Sequence, residues 1–208
     1  DNTLEGDDML VGKRMSKAPV TVTSQDSLAT AQNKMRTGRF RRLPVVEDGK
    51  LLGIITDRDI REHKGFLEQT KVNAVMTTEV VTVTPEITLE EAAKVLLKHK
   101  IGGLPVLEQG KLAGIITTSD IVQAFLDVMG ASEEGAARID LLLEDEDHNL
   151  SGASKTIAME GGEILGVGTY RERWEENPVF YLRLRAADPD RIAGVLGEKG
   201  YTVLGVQQ

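Results

Sequence analysis

Residues 53–60, Gly-Ile-Ile-Thr-Asp-Arg-Asp-Ile, return 61 residues later as Gly-Ile-Ile-Thr-Thr-Ser-Asp-Ile at 114–121. The same offset relates residues 11–60 to 72–121 without a gap, and 21 of those 50 positions are identical. Self-similarity of this kind means one structural unit used twice. A unit of about 50 residues buries too little apolar surface to stand alone, so the copies must bury their faces against each other. The repeat therefore predicts a pseudo-twofold module with two equivalent clefts where the copies meet.

Each copy reads as β-α-β-β-α. The Val-Thr-Val-Thr of residues 20–23 and 81–84 alternates and is β-branched, which predicts a short strand. A helix follows. In the second copy Thr88 caps it with Glu91 three residues on, a capping box, and Leu89, Ala92, Ala93, Leu96 and Leu97 mark one apolar face. Leu28, Ala31 and Met35 mark the same face more sparsely in the first. Two strands, 43–46 and 51–56, are joined by a turn at Glu47-Asp48-Gly49, with Gln109-Gly110 as its counterpart. The second helix of each copy begins at the threonine.

Charge divides the chain near residue 130. Acids and bases number 18 and 17 in residues 1–130, but 15 and 8 in residues 131–208. With a net charge of −8 and no basic stripe, neither nucleic acid nor an anionic membrane is an expected partner. No apolar run approaches the ~20 residues of a membrane span, and a cytoplasmic location is expected. The absence of cysteine excludes disulfides, thiolate metal sites and cysteine nucleophiles.

Enzyme signatures are missing as well. His63, His99 and His148 match no metal-ligand spacing. No phosphate-binding Gly-x-x-x-x-Gly-Lys loop or Gly-x-Ser-x-Gly elbow occurs, and Gly166-Val167-Gly168 lies inside an expected strand. The acidic run at 144–147 lacks calcium-loop spacing and reads as a solvated loop. No catalytic group, metal site or required cofactor is expected.

Residues 1–8 carry four acids and no periodicity, which suggests a disordered lead or cloning remnant with Met9 as a natural start. After a helix continuing through 121–129, residues 131–135 read as a linker. The remainder, 136–208, reads as strand 137–143, helix 149–160, strands 163–171 and 179–185, a helix from Asp188-Pro189 to 200, and strand 201–206. That order, β-α-β-β-α-β, is the ferredoxin-like one, and the whole chain is expected to be α+β.

The Val-Thr-Val segments, Leu43-Pro44-Val45 with Leu104-Pro105-Val106, and the two Gly-Ile-Ile-Thr-x-x-Asp stretches resemble the cystathionine-β-synthase (CBS) domain in order and spacing. The tandem resembles a Bateman module over about residues 10–125. This implies repeat 1 at 9–70 and repeat 2 at 71–130. The C-terminal part resembles an ACT domain, a regulatory module that commonly binds amino acids at dimer interfaces. Aligning Asp145 and Leu150 with that family's Asp-x-Pro-Gly-x-Leu puts Asp147-His148 where Pro-Gly would be, which removes the glycine that lets backbone approach a ligand. The whole arrangement resembles bacterial CBS–ACT proteins of the acetoin-utilisation B type.

Thr56-x-x-Asp59 and Thr117-x-x-Asp120 each have a sufficient local explanation, helix capping. A second reading is a carboxylate accepting bonds from two vicinal hydroxyls, as on a ribose. In the resembled family the Thr and Asp hold the ribose of an adenosine compound, and the preceding residue, here Arg58 or Ser119, lines the same site. Arg39, Arg41 and Arg42 read as a solvated patch on their own; in similar modules basic residues there reach phosphates. Copy two has Lys100, Gly102 and Gly103 instead. The resemblance thus implies a favoured cleft of Thr117, Ser119 and Asp120 with Val20, Arg41 and Arg42. The other cleft, with Thr56, Arg58, Asp59, Val81 and Gly102, is expected to lack paired arginines on its far wall. Val20, Val22, Val81 and Val83 read as core, with an adenine-facing role implied by resemblance.

The implied function is a non-catalytic, homodimeric regulator. It would bind AMP, ADP, ATP or S-adenosylmethionine between the repeats and relay binding through the ACT-like part, with a regulated enzyme as a further partner. Two alternatives stand beside it: an amino-acid sensor with the CBS pair as scaffold, and a ligand-free protein-interaction module.

Overall fold

A computed structural model describes residues 9–143, 148–171 and 177–208; the expected lead at 1–8 and the acidic run at 144–147, with Asp145 and Asp147, lie outside the described residues. The chain divides into two units, residues 1–121 and 122–208.

The first unit begins with α1 (Val11–Arg14), β1 (Ser16–Lys17), α2 (Leu28–Gly38), β2 (Arg42–Glu47), β3 (Lys50–Thr56) and α3 (Asp57–Glu62). A 3-10 turn at Val72–Ala74 then leads into α4 (Leu89–His99), β4 (Gly103–Glu108) and β5 (Lys111–Thr117). The two hairpins share one register: Leu43 faces Ile55 as Leu104 faces Ile116, and both bulge at the same place, Val45/Val46 and Val106/Leu107. Both turns are two residues long, with positive φ at each (Asp48 49°, Gly49 77°; Gln109 48°, Gly110 76°). That is the primed geometry matching strand twist, and glycine adopts the second position at no steric cost. Beneath the first hairpin, Leu28, Ala31 and Met35 of α2 pack with Leu43, Val45 and Ile55.

The segments at 20–23 and 81–84 are not strands. Only Val22 and Val83 pair, each as a single parallel bridge, to Val45 and Val106. Val22 donates to the Pro44 carbonyl (3.1 Å) and accepts from Val46 N–H (2.9 Å), after which the chain turns to enter α2. The alternation survives, with a consequence for the four valines. Val22 and Val83 are buried (2% and 8% exposed), whereas Val20 is 42% exposed and Val81 half-buried, so the last two are not core.

The strand that does form, β1, carries no pattern in the sequence. Ser16 and Lys17 of the first copy pair antiparallel with Ile115 and Gly114 of the second. Thr77 of the second copy pairs with Ile54 of the first in the equivalent way. The exchange continues upstream: Val11 N–H reaches the Ile87 carbonyl (2.9 Å) as Val72 N–H reaches that of Asp26 (2.9 Å). Each copy therefore lends its leading segment to the other's sheet. A Cβ on Gly53 would lie 2.7 Å from the Thr77 carbonyl oxygen, and one on Gly114 would lie 2.9 Å from that of Ser16. Glycine stands inside these strands because another backbone crosses over it.

Helix α5 (Thr118–Val128) carries the chain from the first unit into the second. The second unit then comprises β6 (Ala137–Leu142), α6 (Leu150–Met159), β7 (Glu163–Tyr170), β8 (Val179–Arg185), α7 (Pro189–Glu198) and β9 (Thr202–Gln207). Its sheet order is β7-β8-β6-β9, with every neighbouring pair antiparallel. Ile139, Leu141, Leu182 and Leu184 form a core with Ile157 of α6 and Leu196 of α7. Asp188 caps α7 by accepting from Arg191 N–H (2.9 Å), with Pro189 at its first position. The alternate residues of β6 carry a polar cluster. Asp140 accepts two bonds from Arg138 (2.6 and 2.8 Å) and one from the Tyr170 hydroxyl (3.0 Å).

Among the described residues no helix is long and apolar enough to cross a membrane, and no group of His, Asp and Glu is arranged to hold a metal ion.

Candidate functional site

The two Thr-x-x-Asp junctions fold alike because each hairpin delivers a threonine to the end of a strand and the start of a helix. Asp59 Oδ2 accepts from Thr56 N–H (2.8 Å) and Oγ1–H (2.7 Å); Asp120 Oδ2 accepts from Thr117 with the same two lengths. Capping thus occupies one carboxylate oxygen. Among the described residues neither Oδ1 takes a bond, so each aspartate keeps an acceptor in reserve.

Two clefts open beside these junctions. The second-copy cleft, about 710 Å³, is lined by Val20, Arg41, Arg42, Thr117, Ser119 and Asp120 together. Lys17, Arg39 and Phe40 also border it. The first-copy cleft, about 370 Å³, is lined by Thr56, Arg58, Val81 and Gly102, while Asp59 does not reach its lining. Both volumes fall in the range usual for small-molecule sites.

The arginines depart from expectation. Arg41 and Arg42 border both clefts, so the first-copy cleft does not lack them. Their position follows from the repeat: Arg42 is the counterpart of Gly103, and its guanidinium crosses to lie over Gly102 and Gly103. A Cβ at those glycines would stand 2.6 and 2.3 Å from its Nη atoms. Arg42 Nη1 is buried and, among the described residues, has no hydrogen-bond partner. Burial, then the charge of Arg41, lowers the pKa of Arg42 from its ordinary value, though a guanidinium remains protonated at neutral pH. In the first-copy cleft the other arginines have local partners on α3, Arg58 with Glu62 (3.3 Å) and Arg61 with Asp57 (3.4 Å). Among the described residues no carboxylate pairs with Arg42.

Sequence reasoning missed Arg61, which borders the first-copy cleft one turn beyond Arg58, and Lys17, which reaches the second on the exchanged strand. Spacing on α3 points to the first. Nothing in the residues around Lys17 points to the second, because β1 forms only on the other copy's sheet.

A cleft with a spare carboxylate oxygen and a guanidinium that no described carboxylate neutralises suits a ligand carrying hydroxyls and an anionic group. Inosine-5'-monophosphate dehydrogenase from Korarchaeum cryptofilum is 35% identical over 181 residues, covering 73% of this chain and 37% of the dehydrogenase, so the chain spans little more than a third of that relative. The CBS domain-containing protein YhcV of Bacillus subtilis is 36% identical over 110 residues, 51% of this chain and 79% of YhcV. Among solved structures, a protein assigned to acetoin utilization (AcuB) from Vibrio cholerae matches with a TM-score of 0.54 and 36% identity, over 60% of this chain and 97% of its own. The CBS domain pair of protein MJ0100, in complex with 5-methylthioadenosine and S-adenosyl-L-methionine, matches with a TM-score of 0.51 and 32% identity over 56% and 94%. CBSX2 in complex with AMP gives 0.51 and 29% over 56% and 96%. The family model for the CBS domain matches residues 9–65 and 72–127, more than half of the chain. With the sequence repeat, the exchanged strands and these matches in agreement, the chain belongs to the CBS-domain family and carries the domain twice.

Proposed function

We propose that this chain is a non-catalytic regulator whose CBS pair binds an adenosine-containing ligand: AMP, ADP, ATP or S-adenosylmethionine. The observation that carries this reading is the second-copy cleft, where the spare oxygen of Asp120 and the uncompensated guanidinium of Arg42 line one space of about 710 Å³. A ribose hydroxyl satisfies the first and a phosphate the second. The adenine then lies against Val20, whose exposure would be a cost without a partner. Support comes from the neighbours crystallised with AMP and with S-adenosyl-L-methionine. The C-terminal unit, with its β-α-β-β-α-β order, is read as a ferredoxin-like ACT-type domain that passes the ligand's effect to a dimer mate or a regulated enzyme.

Isothermal calorimetry with the four ligands, on wild type and on Asp120→Ala and Arg42→Ala, tests the assignment. At least one ligand is expected to bind wild type. Asp120→Ala should weaken it about 10- to 100-fold, the worth of a hydrogen bond to a charged group. Arg42→Ala should weaken the phosphorylated ligands more than S-adenosylmethionine. Absence of binding to wild type, or undiminished binding by Asp120→Ala, would sink the proposal.

A further inference from the structure

The two clefts share a cation. Arg42 borders both of them, and the space its guanidinium occupies exists only because the second copy has glycines at 102 and 103. The repeat supplies no second guanidinium to mirror it, since the residue equivalent to Arg42 is one of those glycines. Arg41 borders both clefts too, so neither has a private member of the pair. The first-copy cleft adds Lys100 with Arg58 and Arg61, the last two in exposed pairs with Glu62 and Asp57, and the second adds Lys17 and Arg39; of all these cations only Arg41 and Arg42 reach both clefts.

Resting on the adenosine-ligand reading, we propose that Arg42 is one phosphate clamp serving both clefts, so that phosphorylated ligands in the two clefts oppose each other's binding. A guanidinium fork holds one phosphate bidentately, and turning it toward one cleft withdraws it from the other. The first phosphate to arrive also neutralises the positive charge that the second would have met. Because coupling between sites is reciprocal, the penalty is the same whichever cleft fills first. Adenosine without a phosphate has no claim on the clamp, so it binds the two clefts independently. The device would make the protein report the phosphorylation state of its ligand through the number of molecules bound.

The test uses full-length protein with AMP and adenosine as probes. Val20→Trp fills the second-copy cleft and Val81→Trp the first; neither valine is in the core, so each leaves one working site. Pro19→Trp and Val80→Trp, at residues that line only the second-copy and only the first-copy cleft, form an independent pair of single-cleft variants should either of the first tryptophans disturb folding. For AMP, the product of the two wild-type dissociation constants is expected to exceed the product of the single-cleft constants about tenfold, within the usual range of site coupling. For adenosine the ratio stays near unity, and for AMP it falls to near unity once Arg42→Ala is added to every protein. If wild type takes up only one AMP, each single-cleft variant must still bind one; binding by just one of them overturns the shared clamp. So does a ratio near unity for AMP, an equal ratio for adenosine, or a ratio that survives Arg42→Ala. Failure of wild type to bind AMP overturns this inference, failure to bind any of the four ligands overturns the adenosine reading with it, and AMP binding without coupling overturns the clamp alone.

Discussion

Gly53→Val is expected to destabilise the first unit by about 3 kcal/mol, the upper end of the cost of overpacking. The new Cβ would sit 2.7 Å from the Thr77 carbonyl oxygen and 2.8 Å from Met76 Sδ. A methionine side chain can swing aside; a carbonyl fixed in a strand pairing cannot. Thr77 exchanges two backbone hydrogen bonds with Ile54, both 2.9 Å, and relief of the clash must break them. Thr77 lines the first-copy cleft together with Glu79, Val80 and Val81 just downstream, so a displaced crossing segment also removes a wall of the binding space. Urea unfolding followed by far-UV circular dichroism should show a lowered midpoint for the first unit. Hydrogen exchange at the amides of Ile54 and Thr77 should lose its protection. An unchanged midpoint with those amides still protected would show that the exchanged segment is not held by this close approach.

The second large effect is expected at Asp140→Ala, in the other unit. The Asp140 side chain is 11% exposed and neutralises Arg138, whose guanidinium lies 5.3 Å from the Tyr170 ring centre and 4.8 Å from that of Tyr181. Removing the acid leaves a guanidinium held between two rings with no counter-charge. Breaking a buried pair this way costs roughly 3–5 kcal/mol, and about 3 is expected here because solvent still reaches part of Arg138. Asp140→Asn, which retains an acceptor for Tyr170 but not the charge, should fall between.

The hydrogen bond to Asp140 also raises the pKa of the Tyr170 phenol above its ordinary value. A group whose folded pKa is raised contributes stability that is complete below its unfolded pKa and is lost as pH rises through the folded value. Wild type should therefore lose stability above about pH 10 in a step that Asp140→Ala lacks. Equal stability of Asp140→Ala and wild type at neutral pH would mean that the cluster contributes nothing.

The parts of this architecture that were legible in sequence are those fixed by local pattern. The gapless repeat, the two-residue turns at Asp48-Gly49 and Gln109-Gly110, and the Asp188-Pro189 helix start all announce themselves within a few residues. What escaped was fixed by the other copy. Ser16 and Lys17 have no strand signature of their own and become extended only on the edge of β5. The trace they leave is indirect, a glycine kept in both copies inside an otherwise apolar strand. Likewise the sequence points Arg41 and Arg42 to one cleft, because a linear alignment cannot show a side chain crossing to its own counterpart. The glycines opposite read as a missing arginine pair, when they are the room that Arg42 occupies. The spacing puts an aspartate at each junction alike, but only coordinates separate Asp120, which lines its cleft, from Asp59, which does not.

A crystal structure of the protein grown with AMP tests most directly whether the second-copy cleft is an adenosine site. The predicted result is AMP in the cleft of Val20 and Asp120, with a ribose hydroxyl about 2.7 Å from Asp120 Oδ1 and the phosphate held by Arg42. AMP bound only elsewhere in the chain, with Asp120 bonded to Thr117 alone, would contradict it.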